Sequence, residues 1–472
     1  MNRKNVWEES SKKKVKDIQE FAKGYCDFLN NGKTERECVD QIVNLIEAQG
    51  YKELETLVKE GRKLKAGDKV YRVNMNKSVA MFQIGEKSME EGMNIVGAHI
   101  DSPRLDLKQN PLYENEGLAY LDTHYYGGVK KYHWVTLPLA LHGVIIKKDG
   151  TTVEVNVGED EDDPVFFISD LLIHLAGEQM DKKASKVIEG EDLDVIVGNM
   201  PLKEDKKDSA GEKDAKETVK KNILAILKDK YDMEEEDFIS AEIEVVPAGK
   251  ARDAGFDRSM ILAYGHDDRV CAYPSLKAML AVDRPARTTS CILVDKEEIG
   301  SVGATGMRSQ FYANTVAEVM NLAGDYSDLK LRRCLQNSFM LSSDVGAGYD
   351  PTYAGQFDKK NASFLGGGMI MNKYTGSRGK SGSNDANAEY IGKLRKIWDE
   401  NDVIFQTAEL GKVDAGGGGT IAYILALYGM NVVDCGVAVL NMHAPWEAIS
   451  KADLYEAERG YETFLANMGV EE

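Results

Sequence analysis

Thiols, net positive charge and long apolar runs are all scarce in this 472-residue sequence. It holds six cysteines, Cys26, Cys38, Cys271, Cys291, Cys334 and Cys435. No C-x-x-C pair appears, so free thiols in a reducing compartment are the simpler reading than a disulfide framework. The formal charge is −19. That balance argues against nucleic acid and against anionic membranes, which call for basic patches. It suits a protein that binds cations. No apolar run approaches the ~20 residues of a membrane span. The opening stretch MNRKNVWEESSKKK lacks the apolar core of a secretory signal. A cytoplasmic protein with no membrane partner is therefore expected.

What remains is an ordinary globular composition, 43% hydrophobic and 29% charged. The length suits two or three domains. Val15, Ile18, Phe21, Ala22, Tyr25, Phe28 and Leu29 recur at helical spacing. Thr34 and Glu37 make a capping box ahead of a second stripe, Val39, Ile42, Val43 and Ile46. Strand-like runs follow at 69–73, 78–84 and 93–99. From about 104 to 250 the pattern alternates, at 134–141, 144–148 and 152–157, with glycine-rich turns between. This predicts a separate β-rich unit. Residues 203–221 are nearly pure charge and read as a solvated loop, with helix resuming at 223–227. After about 250, strands and helices alternate to the end, with one strand over 432–442 and a closing helix through Leu454, Tyr461 and Phe464. The whole predicts an α/β fold.

One regularity carries chemistry. His99, Asp267, the pair Glu297 and Glu298, Asp344 and His443 each follow an apolar run within a few residues. In open α/β sheets the carboxyl ends of strands form the ligand crevice. Five strands of one sheet would thus bring these groups to one edge. Imidazole and carboxylate together are ligands for zinc, manganese or cobalt. The adjacent glutamates sit in DKEEIGSVGATG at 295–306, between a buried strand and glycines. Burying such a pair is costly unless metal or protons neutralise it. Taken singly, each residue has a plainer role: Asp267 as a helix cap, Asp344 as a turn cap, the glutamates as solvated acids. Their joint arrangement points to metal.

GAHIDSPRLDLK at 97–108, HDDR at 266–269, DKEEIGSVGATG at 295–306, SSDVG at 342–346 and NMHAPWE at 441–447 resemble a known set. They are similar, in order and over nearly the full chain, to the five metal-site blocks of the aspartyl aminopeptidase and vacuolar aminopeptidase I family. That resemblance implies a co-catalytic dinuclear metallopeptidase that removes N-terminal residues from short peptides. It implies a zinc-exopeptidase-like mixed sheet flanked by helices, in two stretches, 1–101 and 252–472. Between them, 102–251 would be an inserted β-rich dimerisation domain, its dimers building a tetrahedral dodecamer. Two divalent ions per subunit are implied, zinc first, with cobalt or manganese as alternatives. His99 and Asp344 would each terminally ligate a metal, Glu298 and His443 would ligate the second, and Asp267 would bridge. Asp101 would hold the His99 imidazole. Glu297 would be the general base, moving a proton from the bridging water to the leaving amine. A cis peptide at Asp267–Asp268 is implied as well.

The resemblance also has departures. The family's lysine for acidic first residues falls on Met371, leaving Lys373, Arg378 or Lys380 as substitutes. Its histidine that reaches a neighbouring subunit falls on Asp170. The first-residue preference, acidic or neutral, stays open. Gly417 and Gly418 would let the substrate backbone approach closely. His124, His133, His142 and His174 read as packing or interface groups, and His266 as structural. The alternatives are a carboxypeptidase or N-acyl amino-acid deacylase on the same scaffold, or a non-enzymatic shell-forming protein.

Overall fold

The structure, a computed structural model, describes residues 4–203 and 217–470. Most of the charge run read as a solvated loop lies outside the described residues. The chain divides into two compact units. The first takes Met1–Ser102, Ala251–Met442 and Trp446–Glu472; the second takes Pro103–Lys250 with His443–Pro445.

The first unit is built on a nine-stranded sheet. Its centre is four strands: β1 (Asn94–His99), β2 (Thr289–Val294), β3 (Phe339–Ser342) and β4 (Asn431–Gly436). They run parallel in the spatial order β2-β1-β3-β4. Antiparallel pairs extend the sheet beyond both, through Ser78–Gln83 next to β2 and Met369–Asn372 next to β4. The sheet is mixed and flanked by helices. Every residue of β1 and β2 is buried. That is why their apolar residues run consecutively, at 95–98 and 291–294, rather than alternating, since parallel sheets are covered on both faces. Val96, Ala98, Cys291 and Leu293 pack with the helices α1 (His266–Ala281) and α2 (Lys451–Asn467). Ile95, Ile292 and Val294 pack on the other side with Tyr312 and Val316. All six cysteines are free, and five are buried.

The run at 432–442 is not the single strand its pattern predicts. β4 ends at Gly436, and Ala438–Leu440 belongs to a separate five-stranded sheet. Burial is continuous through both sheets, so the apolar pattern carries no mark of the break. Gly436 stands at the break. A Cβ on Gly436 would lie 1.8 Å from the carbonyl oxygen of Asp344. Only glycine admits that approach.

The second unit holds a six-stranded sheet in which every pairing is antiparallel. Its helix Thr218–Tyr231 starts inside the charge run, earlier than the apolar pattern predicts. Val219 is buried there, and Glu114 Oε2 accepts the amide N–H groups of Val219 and Lys220. A carboxylate from a distant strand thus caps this helix, which local sequence does not encode.

Candidate metal centre

Strand ends deliver the candidate ligands, but not all from one sheet. His99 closes β1, Glu297 and Glu298 follow β2, and Asp344 follows β3. Asp267 and His443 follow Met260–Ala263 and Ala438–Leu440, two strands of the five-stranded sheet. The expectation of five strands in one sheet is corrected on this point. A short apolar strand looks the same in either sheet. Asp267 stands in the first turn of α1, after Gly265 at φ +77°. That left-handed backbone favours glycine, and a Cβ there would also meet Arg269 Nη1 at 2.0 Å. The Asp267–Asp268 peptide is cis.

His99, Asp267 and Asp344 are buried, and each offers a ligand atom within 4.8 Å of the other two. His99 Nδ1 lies 3.0 Å from the Asp101 carbonyl oxygen and 3.2 Å from Asp101 Oδ1. With the proton on Nδ1, the Nε2 lone pair is free to ligate. Nε2 is buried without a hydrogen-bond partner, although Asp267 Oδ1 is 3.2 Å away and Glu297 Oε2 is 4.0 Å away. A lone pair facing carboxylates needs a proton or a cation between them. Burial lowers the pKa of His99, but the adjacent Asp101 and Asp267 carboxylates outweigh it and raise it well above the usual value. Burial likewise pushes Asp344 well up, with Asp268 and Glu297 adding to it. Carboxylates crowded together out of water are neutralised by a divalent cation as well as by protons, so the donor set suits a cation. The residues present suit zinc, which takes imidazole and carboxylate.

Asp101 does more than orient the imidazole. Its Oδ1 accepts the amide N–H of Glu297 and its Oδ2 accepts that of Glu298, each at 3.2 Å. One buried carboxylate so fixes His99 and the turn bearing both glutamates. Lys296 at φ +69° bends the chain there. Two further acids escape sequence reasoning. Asp268 is fully buried, and its Oδ2 accepts the His99 amide N–H at 3.4 Å. Burial raises its pKa well above the usual range. Asp295 is buried under Thr305, whose hydroxyl donates to Oδ2 at 2.5 Å. Burial raises it to about 6, with Glu35 and Asp101 contributing. The only sequence signal for either is its place beside a named residue.

The remaining named residues fall as follows. His266 is a core group: Tyr25 Oη donates to Nδ1 at 2.8 Å and Nε2 donates to the Ile261 carbonyl at 3.2 Å. Burial lowers it to about 3, so it stays neutral. Within the second unit, His443 at φ +64° sets Nδ1 2.9 Å from the Gly128 carbonyl, which leaves Nε2 for a ligand role. His142 is buried against Glu159. Asp170 is exposed, with Oδ1 accepting from Leu171 N and Gln179 Nε2. Gly417–Gly418 pairs antiparallel with Gly376–Ser377. Lys373 is exposed, whereas Met371 is buried in the main core.

The family described as aminopeptidase I zinc metalloprotease (M18) matches residues 28–465. A probable M18 family aminopeptidase 1 of Clostridium acetobutylicum is 60% identical over 464 residues, covering 98% of each chain. The crystal structure of an M18-family aminopeptidase from Thermotoga maritima is similar at a TM-score of 0.92 and 45% identity, covering 99% of this chain and 100% of the other. That of aminopeptidase I from Clostridium acetobutylicum gives 0.91 and 57%, with the same coverage.

Proposed function

This chain belongs to the M18 family of aminopeptidase I zinc metalloproteases and is a metalloaminopeptidase; from that premise we propose how its own residues act. It removes N-terminal residues from short peptides, with Glu297 as general base. The observation that carries this reading is the buried cluster of His99, Asp267 and Asp344 with the Glu297 carboxylate beside it.

Two divalent ions, zinc first, would be held. His99, Asp344, Glu298, His443 and Asp267 would hold them. When bound, the ions polarise the scissile carbonyl and acidify a water. The chain's residues do the rest. Glu297, with its side chain 17% exposed, accepts the proton of the attacking water and hands it to the leaving amine. Asp101 keeps Glu297 in place through its backbone N–H and keeps the His99 proton on Nδ1.

Residues 102–251 would form the dimerisation domain, and dimers would assemble into a tetrahedral dodecamer. Gly417, Gly418 and Lys373 would contact substrate. Cytoplasmic placement remains part of the proposal; among the described residues no helix is long and apolar enough to cross a membrane.

The test is Glu297→Gln assayed on free-amine and N-blocked peptides, with metal measured on the same samples. Two ions per chain and a turnover loss of about 10²–10⁴ are expected. Normal cleavage by the variant would remove Glu297 as base. Cleavage of N-blocked peptides only would end the proposed peptide chemistry.

A further inference from the structure

A buried carboxylate with no part in the metal centre stands on β4. Asp434 is 1% exposed, and central strands rarely carry an acid. Its Oδ1 accepts the Thr420 hydroxyl at 2.5 Å, and the same hydroxyl oxygen accepts the Ala422 amide N–H at 3.2 Å. Its Oδ2 is buried without a partner. Burial raises the group to about 7, and the Thr420 hydroxyl holds it down. An acid kept at that cost needs a return.

The return lies in what Thr420 follows. Gly416–Gly419 has no side chains by which to be fixed. Gly417 and Gly418 pair with Ser377 and Gly376. A Cβ on Gly417 would meet the Gly376 carbonyl at 2.4 Å, so a side chain cannot lock this pairing. The ribbon is instead tied to β4 at two points. One is Thr420 on Asp434. The other is Asn384 Nδ2 donating to the Val432 carbonyl at 2.6 Å. Asp434 is in register with Ser342 on β3, two residues before Asp344. The tie thus lies one strand from a proposed metal ligand.

We propose that Asp434 is a positioning residue for substrate: by holding Thr420 it sets Gly417–Gly418 so that their backbone meets the peptide backbone in one register. This rests on the reading that these glycines contact substrate. Asp434 touches no reacting atom, so its effect is on binding of the peptide.

Thr420→Val removes the donor at nearly constant volume. The expected result is a KM for unblocked tripeptides raised about tenfold, the ratio for one hydrogen bond to a charged group. The kcat should stay within about twofold, and metal content should not change. Amide hydrogen exchange at 416–420 should accelerate. Thr420→Ser, which restores the hydroxyl, should return KM and exchange to the original values. Should Thr420→Val fail to fold, Asp434→Asn, which keeps an Oδ1 acceptor for Thr420, should keep KM within about twofold, whereas Asp434→Leu should raise it. Faster exchange or lower stability in Thr420→Val with an unchanged KM would overturn the proposal, leaving a tie that serves the fold alone. Failure of the metal-centre reading would show separately, as an active Glu297→Gln or missing metal, while the exchange measurement still reports on the tie.

Discussion

Replacing Asp101 by asparagine tests the centre most sharply, because the change is isosteric and its cost follows from the contacts. Asp101 Oδ1 accepts from the Glu297 amide and Oδ2 from the Glu298 amide. Oδ1 also lies 3.2 Å from His99 Nδ1. A carboxylate is all acceptor, whereas a primary amide has one acceptor oxygen and one donor nitrogen. Whichever way the new side-chain amide turns in Asp101→Asn, its NH₂ faces one of the two backbone N–H groups. One hydrogen bond to a charged acceptor is lost, roughly 1.5–3 kcal/mol. At 1.4 kcal/mol per tenfold, that is roughly 10–150-fold. Substitutions of groups that orient a metal-binding histidine cost about 10–100-fold in affinity or activity, the same range. The assay is zinc affinity by competition with a chelator, with kcat/KM at saturating zinc and the melting temperature measured alongside. The loss should divide between affinity and kcat/KM, with the chain still folded. Zinc affinity and kcat/KM both within twofold of the original would refute the reasoning. Asp101→Ala should fall further, because both amides then lose their acceptor.

Three other outcomes are expected. Gly436→Ala places a methyl 1.8 Å from the Asp344 carbonyl, so β4 or Asp344 must move. It should destabilise by about 1–3 kcal/mol and weaken zinc binding, read by chemical denaturation and elemental analysis; unchanged zinc affinity would show that Asp344 is not held there. Tyr25→Phe removes the donor to His266 Nδ1 and should cost about 1–3 kcal/mol of stability with zinc content unchanged, since His266 is a core group. Loss of zinc in that variant would contradict its structural role. For the chelator-treated protein, stability should fall as pH rises from about 4 to about 8. Asp295, Asp434 and Asp453 have folded pKa values of about 6, 7 and 8, raised mainly by burial, against about 3.9 unfolded. The folded state therefore binds more protons across that window, and its stabilisation is lost as each group ionises. A urea midpoint that climbs from pH 5 to pH 8 would run against the sign.

The residues proposed to bind metal stand out by residue type and place. An apolar run followed by His, Asp or Glu marks a strand end, and the mixed α/β architecture followed from the same alternation. The capping box at Thr34 and Glu37 appears in the structure as well, because its geometry is wholly local. Partnership between distant segments was not legible. The two sheets behind residues 432–442 share one apolar pattern, and the close approach of Gly436 to Asp344 is a tertiary contact which that pattern does not mark. Helix Thr218–Tyr231 begins where it does because Glu114 reaches it from another strand. Asp268, Asp295 and Asp434 look like surface acids in the sequence, and burial alone makes them exceptional. Sequence by itself determined which side chains could meet a cation and roughly where the strands end. Tertiary structure decided that Asp101 grips His99 and both glutamates at once, since three hydrogen-bonding directions converge on one carboxylate only when β1 and the turn after β2 are held side by side.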